Sequence, residues 1–325
     1  MTKKTVALLV FGSLFFVVYL VRIPWNEAIP DLLAFPRVPL LLLIASNALT
    51  PVLKAIRWRL LLGSVGEAIP FRTMISSVSG GFFLGLVTPG TSGELARVVT
   101  LKVDRTLGIS SIVFEKIWDF IMLLLIALTA LIAIVVHGPA LFIVAPAVWA
   151  LAGVLVYVVA RRPSVASALP RILIRRFLSQ ERGDKLAAVW QSFVNFLRSG
   201  RLTFISAFFA LLLWVIPGCQ YYFVLKNLGV DATFRMVLIS FFLPYLVGVV
   251  SLVPLGLGVF DLFASSLARG RFGLTIGQAT ASILLYRMLI PFVLVLWGFV
   301  CYVHRVRKKE RTKHAEDLGS RAVGS

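Results

Sequence analysis

Six ionisable residues stand in or beside long apolar stretches: Glu94, Arg97, Glu115, Asp119, Asp261 and Arg287. A charge in such a setting costs roughly 2.5–3.5 kcal/mol on insertion scales, so it tends to face a bundle interior and to carry function. Glu94 and Arg97 follow the break Pro89-Gly90-Thr91-Ser92-Gly93 and are three residues apart. On a helix that spacing lets them pair with each other or engage the two charges of a zwitterionic headgroup. Glu115 and Asp119 are four apart on one helical face. Two adjacent carboxylates seldom ionise independently, so the pair suggests a shared proton, a cation held between them, or salt bridges to Arg97 or Lys116. Asp261 follows a second break, Pro254-Leu255-Gly256-Leu257-Gly258, and Arg287 lies within the last apolar stretch. Its guanidinium suits a phosphate or one of these carboxylates bidentately, and a purely structural bridge is the rival reading. Helix starts after Gly93 and Gly258 would add backbone N–H groups that favour an anion.

Other chemistry is poorly supplied. His137, His304 and His314 are too scattered for a metal site, and Ser92 lacks a nucleophile-elbow setting. No phosphate-binding loop of the G-x-x-x-x-G-K-[ST] type occurs, so neither an ATPase nor a cofactor is expected. A carboxylate-only lipid-modifying enzyme and a transporter of a small anionic solute remain the alternatives to a lipid carrier.

The elements that must position these residues are transmembrane. The chain has 325 residues, of which 59% are hydrophobic and 14% charged, with a mean hydropathy of +0.94. That balance lies outside the range of water-soluble domains. Lys and Arg number 33 against 14 Asp and Glu, yet they fall between apolar runs and in the C-terminal tail, which indicates topology and phospholipid contact rather than nucleic acid. Cys219 and Cys301 lie in apolar segments and are expected to be buried thiols. An all-α polytopic bundle follows, with six full spans at about Thr5–Val21, Pro39–Leu62, Ser110–Val136, Ala140–Ala160, Leu202–Leu225 and Ile276–Val303. The first span follows Lys3 and Lys4 and offers no small-residue cleavage site, so it is expected to stay uncleaved. Met74–Thr88 and Met236–Val253 each run into a break and a short second half, as re-entrant hairpins lining an interior site.

The basic residues place both termini in the cytoplasm, with residues 161–201 a basic cytoplasmic linker containing an interfacial helix. Residues 1–303 form one transmembrane domain, and 304–325 a basic, disordered cytoplasmic tail. An offset of 163 aligns Trp58 with Tyr221, Gly66 with Gly229, Phe71 with Phe234 and Arg72 with Arg235. An offset of 165 aligns Pro89 with Pro254, Gly93 with Gly258, and Gly108-Ile109-Ser110 with Gly273-Leu274-Thr275. Units of about 39–136 and 202–303 would then be an inverted repeat, the architecture of alternating-access transporters.

The ordered set Arg57-Trp58-Arg59-Leu60-Leu61-Leu62, Pro89 to Arg97, Glu115-Lys116-Ile117-Trp118-Asp119 and Pro254 to Val259 resembles the flippase-like family that includes the transmembrane region of lysylphosphatidylglycerol synthases. The resemblance spans nearly the whole chain. It implies an integral inner-membrane lipid translocator acting on a phospholipid or an isoprenoid- or hopanoid-type lipid, passively or coupled to an ion. Membrane lipids with anionic or zwitterionic headgroups are the implied partners, and a homo-oligomer or a partner lipid-synthesis enzyme stays open. Two departures stand out. The stretch after Val303 is short and basic, so synthase activity is not expected to carry over, and Phe260-Asp261 stands where many relatives carry Glu after the second glycine break.

Overall fold

The computed structural model describes residues 21, 23–86, 94–99, 101, 103–136, 138–161, 180–251, 253, 256, 258–289, 296–301 and 303–304. These fold as α1 (Trp25–Ala34), α2 (Arg37–Ser46), α3 (Leu49–Gly63), α4 (Phe71–Leu86), α5 (Ala96–Val99) and α6 (Arg105–Val135). Next come α7 (Leu141–Arg161), α8 (Gln180–Arg198), α9 (Gly200–Asn227) and α10 (Phe234–Val250, with a π-turn at Leu238–Phe242). The last are α11 (Val259–Phe272) and α12 (Ile276–Leu284, continued by the π-turn Leu285–Leu289). No strand occurs among the described residues.

Among the described residues three helical stretches are long and apolar enough to cross a membrane: Arg37–Gly63, Arg105–Val135 and Gly200–Asn227. At 1.5 Å per residue the longest reaches about 46 Å, well beyond a hydrocarbon core of about 30 Å. Their outer faces are apolar, with Leu41 of α2, Leu131 of α6 and Phe204 of α9 exposed, as lipid-facing surfaces must be. Inside, α6 is the spine. Phe114 takes Phe193 and Phe196 of α8 at 5.7 and 5.6 Å, and Ser110 Oγ donates to the Val189 carbonyl at 3.0 Å. The linker helix α8 therefore packs on a span through an aromatic face. A second core joins α9, α10, α11 and α12 around Tyr221, Phe241 and Phe260.

Several sequence-based expectations shift. The span at 39–62 is divided at Asn47, whose amide donates to the Leu43 carbonyl at 3.0 Å; α3 restarts at Leu49 with Pro51 in its first turn, where no backbone donor is needed. The second half-helix, α11, is 14 residues long rather than short. Cys219 is exposed on α9, not buried. Of the Thr5–Val21 span only Val21 falls within the described residues, and Pro89, Gly90, Gly93, Pro254 and the tail beyond His304 lie outside them.

The two ends of the 163-residue offset close in the same way. After α3 the Glu67 N–H bonds the Leu62 carbonyl at 3.1 Å and Gly66 takes φ +88°; after α9 the Val230 N–H bonds the Leu225 carbonyl at 3.1 Å and Gly229 takes φ +73°. Both are Schellman-type stops with a left-handed glycine. The 165 offset fails at the glycine triplets: Gly108 lies inside α6, whereas Gly273 is the left-handed cap that ends α11. The caps themselves correspond instead. Asp104 caps α6 by accepting from Leu107 N, and Thr275 caps α12 by accepting from Gln278 N. Six extra residues between Gly258 and Thr275, compared with Gly93 to Asp104, account for the slip.

A Cβ added at Gly66 or Gly229 meets nothing within 4 Å, so only backbone strain opposes it. Gly66→Ala and Gly229→Ala should each destabilise by about 1–2 kcal/mol, the cost of a left-handed L-residue. Unfolding midpoints in detergent should fall by similar amounts for the two.

Candidate functional site

The first cluster is assembled from three segments. α3 contributes Lys54 and Arg57, the turn into α5 contributes Glu94 and Arg97, and α6 contributes Glu115, Lys116 and Asp119. Arg57 is its centre and is 1% exposed. Its Nη1 and Nη2 donate to Asp119 Oδ1 and Oδ2 at 2.6 and 3.1 Å, and its Nε donates to Glu115 Oε1 at 3.2 Å. Arg97 Nη2 donates to Glu115 Oε2, and the Arg97 guanidinium lies 4.4 Å from the Trp58 ring centroid. Glu94 accepts from Lys54 at 3.2 Å and from Lys116 at 2.9 Å. Arg57 lies six residues inside the end of α3, roughly 9 Å, and Glu115 ten residues into α6, roughly 15 Å. At that depth each bond is stronger than at a surface, and each unpaired charge costlier.

The second cluster lies on α11 and α12. Asp261 Oδ2 accepts the Gly258 N–H at 2.8 Å, capping α11, and both its oxygens accept from Arg287 Nη1 at 2.9 and 3.1 Å. Arg287 stands in the π-turn of α12 with its guanidinium 4.8 Å from the Phe260 ring centroid. π-Turns within α-helices often mark functional positions. Here two of them meet, Phe241 of one lying 4.9 Å from Tyr286 of the other. The break is tucked in by glycine: a Cβ on Gly256 would come within 2.8 Å of Gly248 Cα. Tyr245 of α10 lies between the clusters, its ring 5.7 Å from Phe260 and 4.8 Å from Trp214. Trp214 holds the same region by donating to the Asp119 carbonyl at 2.8 Å and packing on Tyr245 at 4.8 Å.

The sequence-predicted residues are thus gathered in two neighbouring sets. Glu94, Arg97, Glu115 and Asp119 share one, while Asp261 and Arg287 form the other. The Glu115/Asp119 spacing does put both carboxylates on one face, but Arg57 engages both and Arg97 engages Glu115, so neither a shared proton nor a metal is needed to relieve them. Lys54 and Arg57 are not among the sequence-predicted site residues. Their signal was position: both fall inside the apolar stretch ending at Leu62, three residues apart. The two sets also share a pattern. Counted from the caps Asp104 and Thr275, a serine stands at the seventh residue, Ser111 or Ser282, and a cation at the twelfth, Lys116 or Arg287. Each serine meets the aromatic paired by the 163 offset, Trp58 Nε1 at 2.8 Å and Tyr221 OH at 3.4 Å. Each cation binds the carboxylate that follows a break, Glu94 or Asp261. Among the described residues no group of three His, Cys, Asp or Glu is placed to hold a metal.

Residues 5–298 match the family described as lysylphosphatidylglycerol synthase TM region. A UPF0104 membrane protein of Pyrococcus horikoshii is 24% identical over 257 residues, covering 70% of this chain and 76% of that protein. A UPF0104 membrane protein of Methanocaldococcus jannaschii is 21% identical over 330 residues, covering 96% of this chain and 98% of its own. No solved structure matches.

Glu115→Gln leaves two buried guanidiniums short of a counter-charge and should cost about 3–5 kcal/mol. Asp119→Asn should cost less, since the Asp119 side chain is 17% exposed and Glu115 still compensates Arg57. Thermal unfolding in detergent should rank the two variants in that order.

Proposed function

The chain belongs to the lysylphosphatidylglycerol synthase transmembrane-region family, a family of membrane proteins related to lipid handling, and on that premise we propose that it carries a phospholipid headgroup between leaflets. The observation that carries this reading is the charge of the first cluster. Lys54, Arg57, Arg97 and Lys116 face Glu94, Glu115 and Asp119, four cations against three carboxylates. Such a network inside a membrane is one negative charge short of neutrality, and a phosphodiester supplies that charge. Lys116 is the entry point, because its side chain is 34% exposed while Arg57 and Glu115 are sealed.

The matched caps, serines and cations support an inverted duplication, in which the Glu94–Lys116 and Asp261–Arg287 pairs are equivalent contacts of the two repeats. In an alternating-access cycle one pair opens to admit the headgroup while the other stays closed. The carrier works in the cell inner membrane with both termini cytoplasmic, passively or coupled to an ion, and without an enzymatic step or cofactor. Isoprenoid- and hopanoid-type lipids with an acidic headgroup fit the same cluster. A homo-oligomer and an enzyme that synthesises the lipid are the partners this reading admits.

Reconstitution of the full chain with fluorescently labelled phosphatidylglycerol tests it. The wild type should expose inner-leaflet label to an impermeant quencher. Lys116→Gln should keep its fold and slow exposure by about tenfold or more, the loss of one charge-assisted contact. Label confined to its original leaflet with folded wild-type protein sinks the proposal for this lipid class. A new lipid product would point to an enzyme, and flux of inorganic phosphate to a solute transporter.

A further inference from the structure

A groove of about 840 Å³ opens at the end of the bundle where α3 stops and α9 starts, roofed by α8. Each helix contributes one stripe: Ile56, Arg59, Leu60 and Gly63 from α3, Ser192 and Asn195 from α8, and Arg201 and Ile205 from α9. It is distinct from the buried ion clusters, none of whose charged residues lines it. No acidic residue lines it either, and among the described residues neither Arg59 nor Arg201 has a carboxylate within salt-bridge distance.

The lining is graded. Arg59 and Arg201 lie toward the helix ends, beside Ser192 and Asn195; Ile56 and Ile205 lie about one turn deeper on the same helices. The polar-to-apolar direction is the same on α3 and α9, although the two chains run oppositely. A soluble anion needs only the polar end. An amphiphile uses both, and Leu60 and Phe204, 39% and 71% exposed, continue the apolar side toward the bilayer. Arg72, Arg105 and Arg198 are exposed around the same end, so the groove sits in a basic collar of the kind that faces anionic lipid.

We propose that this groove binds one anionic phospholipid from the adjoining leaflet, its phosphate between Arg59 and Arg201 and its acyl chains along Ile56 and Ile205. The site holds lipid whether or not the protein moves lipid, so its test is separate from the transport assay.

The test is native mass spectrometry of the full chain, purified and relipidated with equal phosphatidylglycerol and phosphatidylcholine, with size exclusion confirming the fold. The wild type should retain a phosphatidylglycerol through delipidation. The double variant Arg59→Gln/Arg201→Gln should retain it at least about tenfold less, at the scale of ~1 kcal/mol per basic residue near lipid. Arg59→Lys/Arg201→Lys should keep much of the retention, because charge rather than a fixed fork is required. Equal retention by the wild type and the Gln variant overturns the proposal, and so does equal retention of phosphatidylcholine by the wild type. If inorganic phosphate raises the wild-type unfolding temperature as much as dioleoylphosphatidylglycerol does, the site takes a soluble anion and the lipid assignment is wrong. Should the Gln variant misfold, competition on the wild type decides: phosphatidylglycerol must displace a bound phosphatidylserine, and phosphatidylcholine must not.

Discussion

A guanidinium 1% exposed and deep in an apolar bundle exists only if its surroundings supply compensating charge. Arg57 meets that condition with two carboxylates one helical turn apart on α6, and the arrangement of α3, α5 and α6 follows from it. α3 and α6 must align so that Arg57 faces Glu115 and Asp119 together. The chain after the first break must return far enough to bring Arg97 to the other oxygen of Glu115 and Glu94 between two lysines. Apolar packing tolerates sliding by a residue, but this network does not, since a one-residue slip would rotate a partner about 100° around its helix and strand a charge. The ion pairs therefore specify register, and Trp58, Met74 and Ile112 supply the surrounding apolar contact.

The second cluster reaches a similar geometry with fewer charges. Where the first has Arg97 over Trp58, the second has Phe241 stacked on Tyr221 at 5.1 Å. Aromatic packing thus replaces one guanidinium and the carboxylate it would need. What persists is a carboxylate after each break bound to a cation twelve residues past a helix cap. Asp261 adds the capping of its own half-helix, so its position near the start of α11 is tied to the backbone as well as to Arg287.

Much of this was readable from residue type and spacing. The long apolar runs located α6 and α9, Gly256 and Gly258 marked the left-handed turns that lead into α11, and the Glu115/Asp119 spacing predicted a common face. The identity of the partners was not readable, because pairing across 58 residues, as between Arg57 and Glu115, depends on how three helices dock. Arg57 and Arg59 stand two residues apart in one apolar stretch, and it is the docking of α3 on α6 that buries the first while the second stays exposed. α1, a helix of ten residues with Pro30 inside it, is not among the expected spans, being too short to cross a hydrocarbon core. The glycine alignment fails for another reason. An offset that fits one landmark is carried past an insertion it cannot see, whereas helix caps are fixed by hydrogen bonds and hold their register.

A carrier needs a site that attracts its cargo and releases it, and a fully neutral network would do the first poorly while a strongly cationic one would fail at the second. A network with one excess positive charge lies between these limits. On the proposed reading, an arriving phosphate would compete with Glu94 for Lys116 without leaving any carboxylate bare, because Lys54 also holds Glu94. On its departure Lys116 would return to Glu94 and the desolvated cation would be compensated again. The exchange would be between two charge-assisted contacts of similar strength, so its net free energy would be small compared with either contact alone. Arg57 and Arg97 bind Glu115 and Asp119, so that among the described residues Glu94 is the carboxylate paired with Lys116.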